Sequence, residues 1–92
     1  MEKHMNGYVE IPPELPLPGD IMLIEYAEGL ETWRLSPHNT DPAYVWMEQT
    51  RRGRRVDAWA CDREALKNYL MNQPHCRRLL RRVPPLAAKE TP

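Results

Sequence analysis

The alternation of apolar and polar positions predicts four β-strands in the middle of the chain. The first is a nearly continuous apolar run bounded by turn residues, as in a well-covered strand. The second alternates, with Trp33 and Leu35 on one face. Tight turns separate the strands, so they should pair antiparallel. The expected ranges are 21–26, 31–35, 43–51 and 55–61.

The hairpin between the last two strands has two possible registers. A two-residue turn at Arg52-Gly53 places Trp46 opposite Trp59, a favourable aromatic pair, although it also sets two acidic residues against each other. A three-residue turn places Met47 opposite Trp59 instead. The two registers differ by one residue and therefore exchange the faces of the strand, and the pattern leaves both open.

Helical spacing replaces alternation after residue 61. Asp62 is a favourable N-cap for a helix over residues 62–73, which Pro74 ends or kinks. A second helix is expected over residues 74–83, because apolar residues recur at i, i+3, i+4 and i+7. These residues are Cys76, Leu79, Leu80 and Val83. The predicted fold is α+β: a four-stranded antiparallel meander followed by one or two short C-terminal helices packed on one face.

The chain divides into three parts by composition. Residues 1–20 are predicted to be a Pro-rich irregular N-terminal arm, because closely spaced prolines remove backbone donors and fix φ. Pro13 to Pro16 also fits a PxxP ligand for an aromatic groove. We expect residues 21–83 to form a single α+β domain and residues 84–92 to be a flexible tail.

Because the chain is small, its core should depend on its aromatic residues. With 92 residues, the protein can bury only a small core. We therefore expect Trp33 and Trp59 to be largely buried, because aromatic area dominates such cores. Cys61 and Cys76 are too few for a disulfide framework, although they could form a single bridge. We expect two reduced thiols instead, which indicate a reducing compartment. No run resembles a signal peptide or a membrane span, so we expect a cytoplasmic protein.

The net charge of zero hides a strong separation of charge along the chain. Residues 1–50 carry nine acidic and two basic residues (−7), and residues 51–92 carry four acidic and eleven basic residues (+7). Such a division is typical of an acidic or basic interaction surface. Alternatively, the two halves pack together and neutralise each other.

Eight arginines in two clusters are the candidate binding residues. Arg77, Arg78, Arg81 and Arg82 would share one side of the second helix, where guanidinium groups can bind phosphate or carboxylate. Alternatively, this face is solvated or paired with acids such as Glu25, Glu28 or Glu31. Arg51, Arg52, Arg54 and Arg55 surround the hairpin turn, where they could contact a nucleic-acid backbone or keep the hairpin edge from pairing.

No motif indicates catalysis, a metal site or a cofactor. The histidines and cysteines match no zinc spacing, and the glycines cannot form a phosphate-binding loop. We therefore expect a small non-enzymatic module that binds another protein through an acidic surface of that protein, with nucleic-acid binding by the two arginine clusters as the alternative. Zero net charge is unusual for a nucleic-acid binder.

No motif assigns the chain to a family, and only its coarse plan invites comparison. A meander followed by short helices resembles small phage- or plasmid-encoded inhibitors and adaptors, anti-CRISPR proteins among them, which act by covering a partner's surface. The same plan resembles the three-strand-plus-helix DNA-binding domains of phage integrases and AP2 proteins. Neither resemblance carries residue roles, because fold does not determine function.

Overall fold

The protein is an α+β fold with one antiparallel sheet and one helix, as the computed structural model of residues 7–52 and 54–83 shows. Within these residues the sheet has six strands, in the order β1-β6-β2-β3-β4-β5. The elements along the chain are β1 (Tyr8–Ile11), β2 (Ile21–Tyr26), β3 (Gly29–Pro37), β4 (Tyr44–Arg51), β5 (Arg54–Asp62), α1 (Arg63–Asn72) and β6 (Arg77–Arg82).

The predicted four-strand meander is present as β2 to β5. Each predicted end lies within two residues of the observed one, and all pairings are antiparallel. The first helix is also confirmed: Asp62 is its N-cap, and the carboxylate accepts from the amides of Glu64 (2.8 Å) and Ala65 (3.1 Å). An oxygen at this position satisfies amides that have no partner in the first helical turn.

The predicted second helix is wrong, because residues 77–82 form the strand β6. This strand lies inside the sheet between β1 and β2, with Leu79 opposite Met22 and Leu80 opposite Ile21. Two adjacent leucines fit a helical stripe, but they also fit a strand that is covered on both faces. Pairing with β1 and β2 favours the strand over the helix, and this pairing cannot be predicted from the spacing of apolar residues.

The strand β1 lies within residues 1–20 and does not agree with a fully irregular arm there. Tyr8–Ile11 pairs with β6, and Ile11 packs against the core. The strand is only four residues long and lies between Gly7 and a run of prolines, so its local signal is weak. Residues 12–20 contain no helix or strand, as their prolines suggest. The division into arm, domain and tail stays a prediction, and the tail lies outside the described residues.

The hairpin of β4 and β5 combines both predicted registers. Arg51 pairs with Arg54 across a two-residue turn, yet Met47 faces Trp59 as the three-residue turn would require. The change of register falls between Gln49 and Thr50, where Val56 has no cross-strand partner and forms a β-bulge. The bulge thus absorbs one residue and also separates the two acids that a regular two-residue turn would oppose.

The core lies between α1 and one face of the sheet. Leu66 and Leu70 of the helix pack against side chains from strands β2, β3, β4 and β6. Trp33 belongs to this core and is 8% exposed, which confirms its predicted burial. The prediction for Trp59 is wrong: it is 56% exposed, because it lies on the outermost strand and α1 does not cover it.

In the described part of the chain, no helix has the length and apolar character needed to span a membrane.

Candidate functional site

The arginines of β6 do not form one stripe, because a strand directs successive side chains to opposite faces. Arg77 and Arg81 lie on the face of the sheet that carries α1, together with Leu79. Arg78 and Arg82 lie on the other face, called the open face below, together with Leu80. The predicted common surface of four arginines is therefore wrong.

Three of these four arginines are engaged within the protein. Arg77 lies over the Tyr69 ring at 3.8 Å and donates to the Tyr69 carbonyl at 2.9 Å. Arg78 pairs with Glu25 at 3.3 Å, one of the internal pairings that the sequence suggested. Arg81 donates two hydrogen bonds, of 3.0 and 2.8 Å, to the buried carboxylate of Asp20. These hydrogen bonds raise the pKa of the Arg81 guanidinium, against an opposing effect of burial.

The second cluster is exposed at the tip of the β4–β5 hairpin. The side chains of Arg52, Arg54 and Arg55 are all exposed, and Arg52 adopts a left-handed φ of 56° in the turn. Arg55 pairs with Glu48 at 3.4 Å. The side chain of Arg51, like the turn residue Gly53, lies outside the described part of the structure. The tip is therefore a basic projection.

The ion pairs explain the charge separation along the chain. Each pair found among the described residues joins an acid from residues 1–50 to an arginine from residues 51–92. Packing the two halves together thus neutralises part of the −7 and +7 charges. The opposite charges of the two halves of the sequence therefore do not imply a surface that is wholly acidic or wholly basic.

Two aromatic residues of the open face, Trp46 and Tyr44, are also engaged. The ring of Trp46 stacks on His38 at 5.6 Å between centroids, and its indole donates to Asn39 at 3.3 Å. Tyr44 contacts the same histidine at 5.7 Å. Base stacking on single-stranded nucleic acid needs free aromatic faces, so this arrangement does not favour it.

Sequence reasoning missed the outer side of β5, because strand order is not encoded locally. No strand pairs with this side within the described residues. The Arg63 amide donates to the Ala43 carbonyl at 2.8 Å, and hydrogen-bonded pairs alternate along an antiparallel ladder. By this alternation, Ala58 and Ala60 direct their amides and carbonyls outward. We call this outward row of backbone groups the β5 edge.

The Ala58 amide confirms this direction. It donates to the carboxylate of Asp57 at 3.0 Å instead of to β4. The neighbouring bulge at Val56 interrupts the edge, and both features protect an edge strand from unselective pairing. The β5 edge is therefore accessible, but the bulge and the Asp57 carboxylate hinder strand pairing along part of it.

An apolar groove lies between α1 and the sheet and reaches β5 at Cys61. Its volume is about 360 Å³, and Met47, the cross-strand neighbour of the exposed Trp59, forms part of the wall. The groove is lined by Ile24, Tyr26, Trp33, Met47, Cys61, Ala65, Leu66 and Tyr69. Exposed aromatic and apolar area next to free backbone groups is typical of peptide-binding surfaces.

The groove offers little reactive chemistry. Burial, assisted by the charge of Asp62, raises the pKa of the Cys61 thiol, so the thiolate nucleophile is disfavoured. Both Cys61 and Cys76 are half-buried free thiols. Within the described ranges, no three His, Cys, Asp or Glu residues are grouped so as to hold a metal ion.

Comparison with protein-family models, with curated proteins and with solved structures finds no match to this chain. A proposal for its function therefore rests on the geometry described above.

Proposed function

We propose that the protein is a non-enzymatic binding module that takes up an extended segment of another protein along the β5 edge. The observation that carries this proposal is an outermost strand, Arg54–Asp62, with outward backbone groups and a tryptophan that is 56% exposed. An incoming strand would satisfy these backbone groups, as in recognition by strand addition.

Side-chain chemistry along the edge restricts the partner segment. Trp59 and the apolar groove favour one or two large apolar residues, since tryptophan is frequently a dominant contact in protein interfaces. Arg52 and Arg54 at the hairpin tip favour acidic residues at one end of the segment. The partner is thus an extended segment with an apolar centre and an acidic end, which is consistent with the acidic partner surface expected from the sequence.

Surface occlusion is the mode of action that follows. The protein would act on a partner by covering the segment that it binds, in the manner of an inhibitor or adaptor. Nucleic-acid binding is the weaker candidate, because Arg78 and Arg81 are neutralised by acids and the Trp46 ring is stacked internally. The exposed hairpin tip supports it.

Selection from a displayed library of ten-residue peptides tests the proposal. We expect selected peptides to alternate apolar residues and to carry acidic residues at one end. Trp59→Ala should weaken their binding by about thirtyfold or more, corresponding to about 2 kcal/mol. Leu30→Ala is the matched control, because Leu30 is 57% exposed on β3, away from this edge. Isothermal titration calorimetry measures both.

Two further changes separate strand addition from simple apolar contact. Ala58→Pro removes one outward amide without touching the β4 ladder, since proline is tolerated on strand edges, and should abolish binding. Asp57→Ala removes the carboxylate that competes for the Ala58 amide, and should strengthen it. Peptides that bind the Trp59→Ala and Ala58→Pro variants as tightly as the unchanged protein would refute the proposal.

A further inference from the structure

A second cleft lies at the end of the sheet where β2 begins, away from the β5 edge. Its volume is about 440 Å³, and residues of β1, β3 and β6 and the Pro-rich segment before β2 form its walls. It is lined by Tyr8, Leu17, Pro18, Gly19, Asp20, Arg34, Leu35, Ser36, Pro37, Arg81 and Arg82. We call it the arginine cleft, because three of these residues are arginines.

The one acid in the cleft has no remaining capacity to neutralise a second arginine. Asp20 is 2% exposed, and its carboxylate accepts one hydrogen bond from the Leu17 amide (2.9 Å) and two from Arg81. Arg81 in turn contacts a second acid, Glu14, at 3.5 Å. The Asp20–Arg81 pair therefore forms a fixed floor without positive charge to offer, because Arg81 is shared between two acids.

Arg34 and Arg82 retain their charge at the mouth of the cleft. Both are exposed, and neither has a carboxylate within 4.0 Å among the described residues. Glu48 lies opposite Arg34 in the register, but its carboxylate accepts from the Ser36 hydroxyl (3.2 Å) and pairs with Arg55 (3.4 Å). Two like charges that line one cleft favour binding of an anion between them.

The space between these arginines is kept open by the backbone. Arg34 on β3 is level with Ile21 of β2, whereas Arg82 on β6 lies two residues further along, level with Gly19. At the usual strand spacing and rise, their Cα atoms are about 12 Å apart. Gly19, at the entry to β2, has a φ of 99°, and a Cβ atom there would meet nothing within 4 Å. Any residue other than glycine would be strained at this φ and would begin to fill the cleft.

We propose that the arginine cleft binds a small phosphate monoester. A phosphate dianion matches the two unneutralised guanidinium groups in charge, and its three terminal oxygens can accept from two separate strands, which a single planar carboxylate does less well. Tyr8, the cross-strand neighbour of Arg82, supplies a hydroxyl and a ring, while Leu17 and Pro18 offer apolar contact to the organic part. This site is independent of strand addition at the β5 edge.

Titration with phenyl phosphate and with inorganic phosphate, followed by amide NMR shifts, tests the proposal. We expect both to shift amides of the cleft, and phenyl phosphate to bind more tightly because of the apolar walls. Arg34→Gln and Arg82→Gln should each weaken binding about tenfold or more. Arg54→Gln is the matched control: Arg54 is equally exposed, has no described carboxylate within 4.0 Å, and lies at the distant hairpin tip.

Each alternative result has a defined meaning. An equal loss in all three variants would show unspecific attraction to positive charge and overturn the proposal, as would unshifted cleft amides. Tighter binding of inorganic phosphate than of phenyl phosphate would overturn the monoester assignment. Circular dichroism of each variant establishes that the fold is retained. Unchanged peptide binding at the β5 edge by Arg34→Gln and Arg82→Gln keeps the two sites distinguishable.

Discussion

At the scale of single residues, position in the sheet decides what two similar side chains do. Trp33 and Trp59 both point to the face that carries α1, and both belong to alternating apolar patterns. Trp33 lies on an inner strand and is buried, whereas Trp59 lies on the outermost strand and is mostly exposed. The sequence predicts that both are buried and does not predict their difference, because strand order depends on distant pairing.

Stability measurements should separate these two tryptophans. Trp33→Ala creates a cavity in the core and is expected to lower the free energy of unfolding by about 3–5 kcal/mol. Trp59→Ala removes an exposed side chain and should cost less than about 1 kcal/mol. Urea denaturation followed by circular dichroism measures both changes, and equal losses would contradict the exposure of Trp59.

Asp20 is the buried polar residue on which the Pro-rich segment depends. Its carboxylate connects the Leu17 amide to Arg81 of β6. Asp20→Asn should lower the free energy of unfolding by about 3 kcal/mol, because the Arg81 charge loses its buried partner. Glu14→Gln is the control, since Glu14 contacts the same guanidinium but its side chain is 51% exposed, and it should change stability by less than about 1 kcal/mol. Similar effects of both changes would argue against the buried pair.

At the scale of elements, local patterns predict the hairpin strands and α1 well, and predict the last strand poorly. Alternation, turn residues and an N-cap act within a few residues of one another, so the meander and the Asp62 cap could be read directly. Residues 77–82 have an apolar pair that suits either a helix or a buried strand. These residues form a strand because β2 has an unpaired side, which exists only once the rest of the sheet has folded. The candidate site depends on the same non-local order.

The bulge in β5 gives a prediction at this scale. Deletion of Val56 would make the Thr50–Arg55 and Gln49–Asp57 pairs consecutive, so the strand would become regular without changing its outer register. We expect the fold to persist and concentration-dependent association to increase, because a flatter edge pairs more readily. Analytical ultracentrifugation compares this variant with Val56→Ala, which retains the bulge. A deletion variant that stays as monomeric as that control would contradict the protective role.

At the scale of the whole molecule, charge organises the contact between the two halves of the chain. The described ion pairs connect acids of β2, β4 and the Pro-rich segment to arginines of β5 and β6. The charge separation was visible in the sequence, but its two interpretations could not be distinguished there. Pairing between the halves accounts for Arg55, Arg78 and Arg81. Arg63 and Arg77 donate to backbone carbonyls instead. The arginines with neither a described carboxylate within 4.0 Å nor such a carbonyl are Arg34, Arg52, Arg54 and Arg82.

The position of β6 between β1 and β2 also bears on how the protein is made. Ribosomes synthesise the chain from its N-terminus at about 5–20 residues per second. The strands β1 to β5 therefore emerge before β6, which joins β1 to the meander. Until residues 77–82 appear, β2 exposes a row of unpaired backbone groups, and β1 has no strand to pair with. Before residues 77–82 are available, the nascent protein therefore exposes an unpaired edge on β2, and slow translation of the segment between β5 and β6 should increase aggregation rather than reduce it.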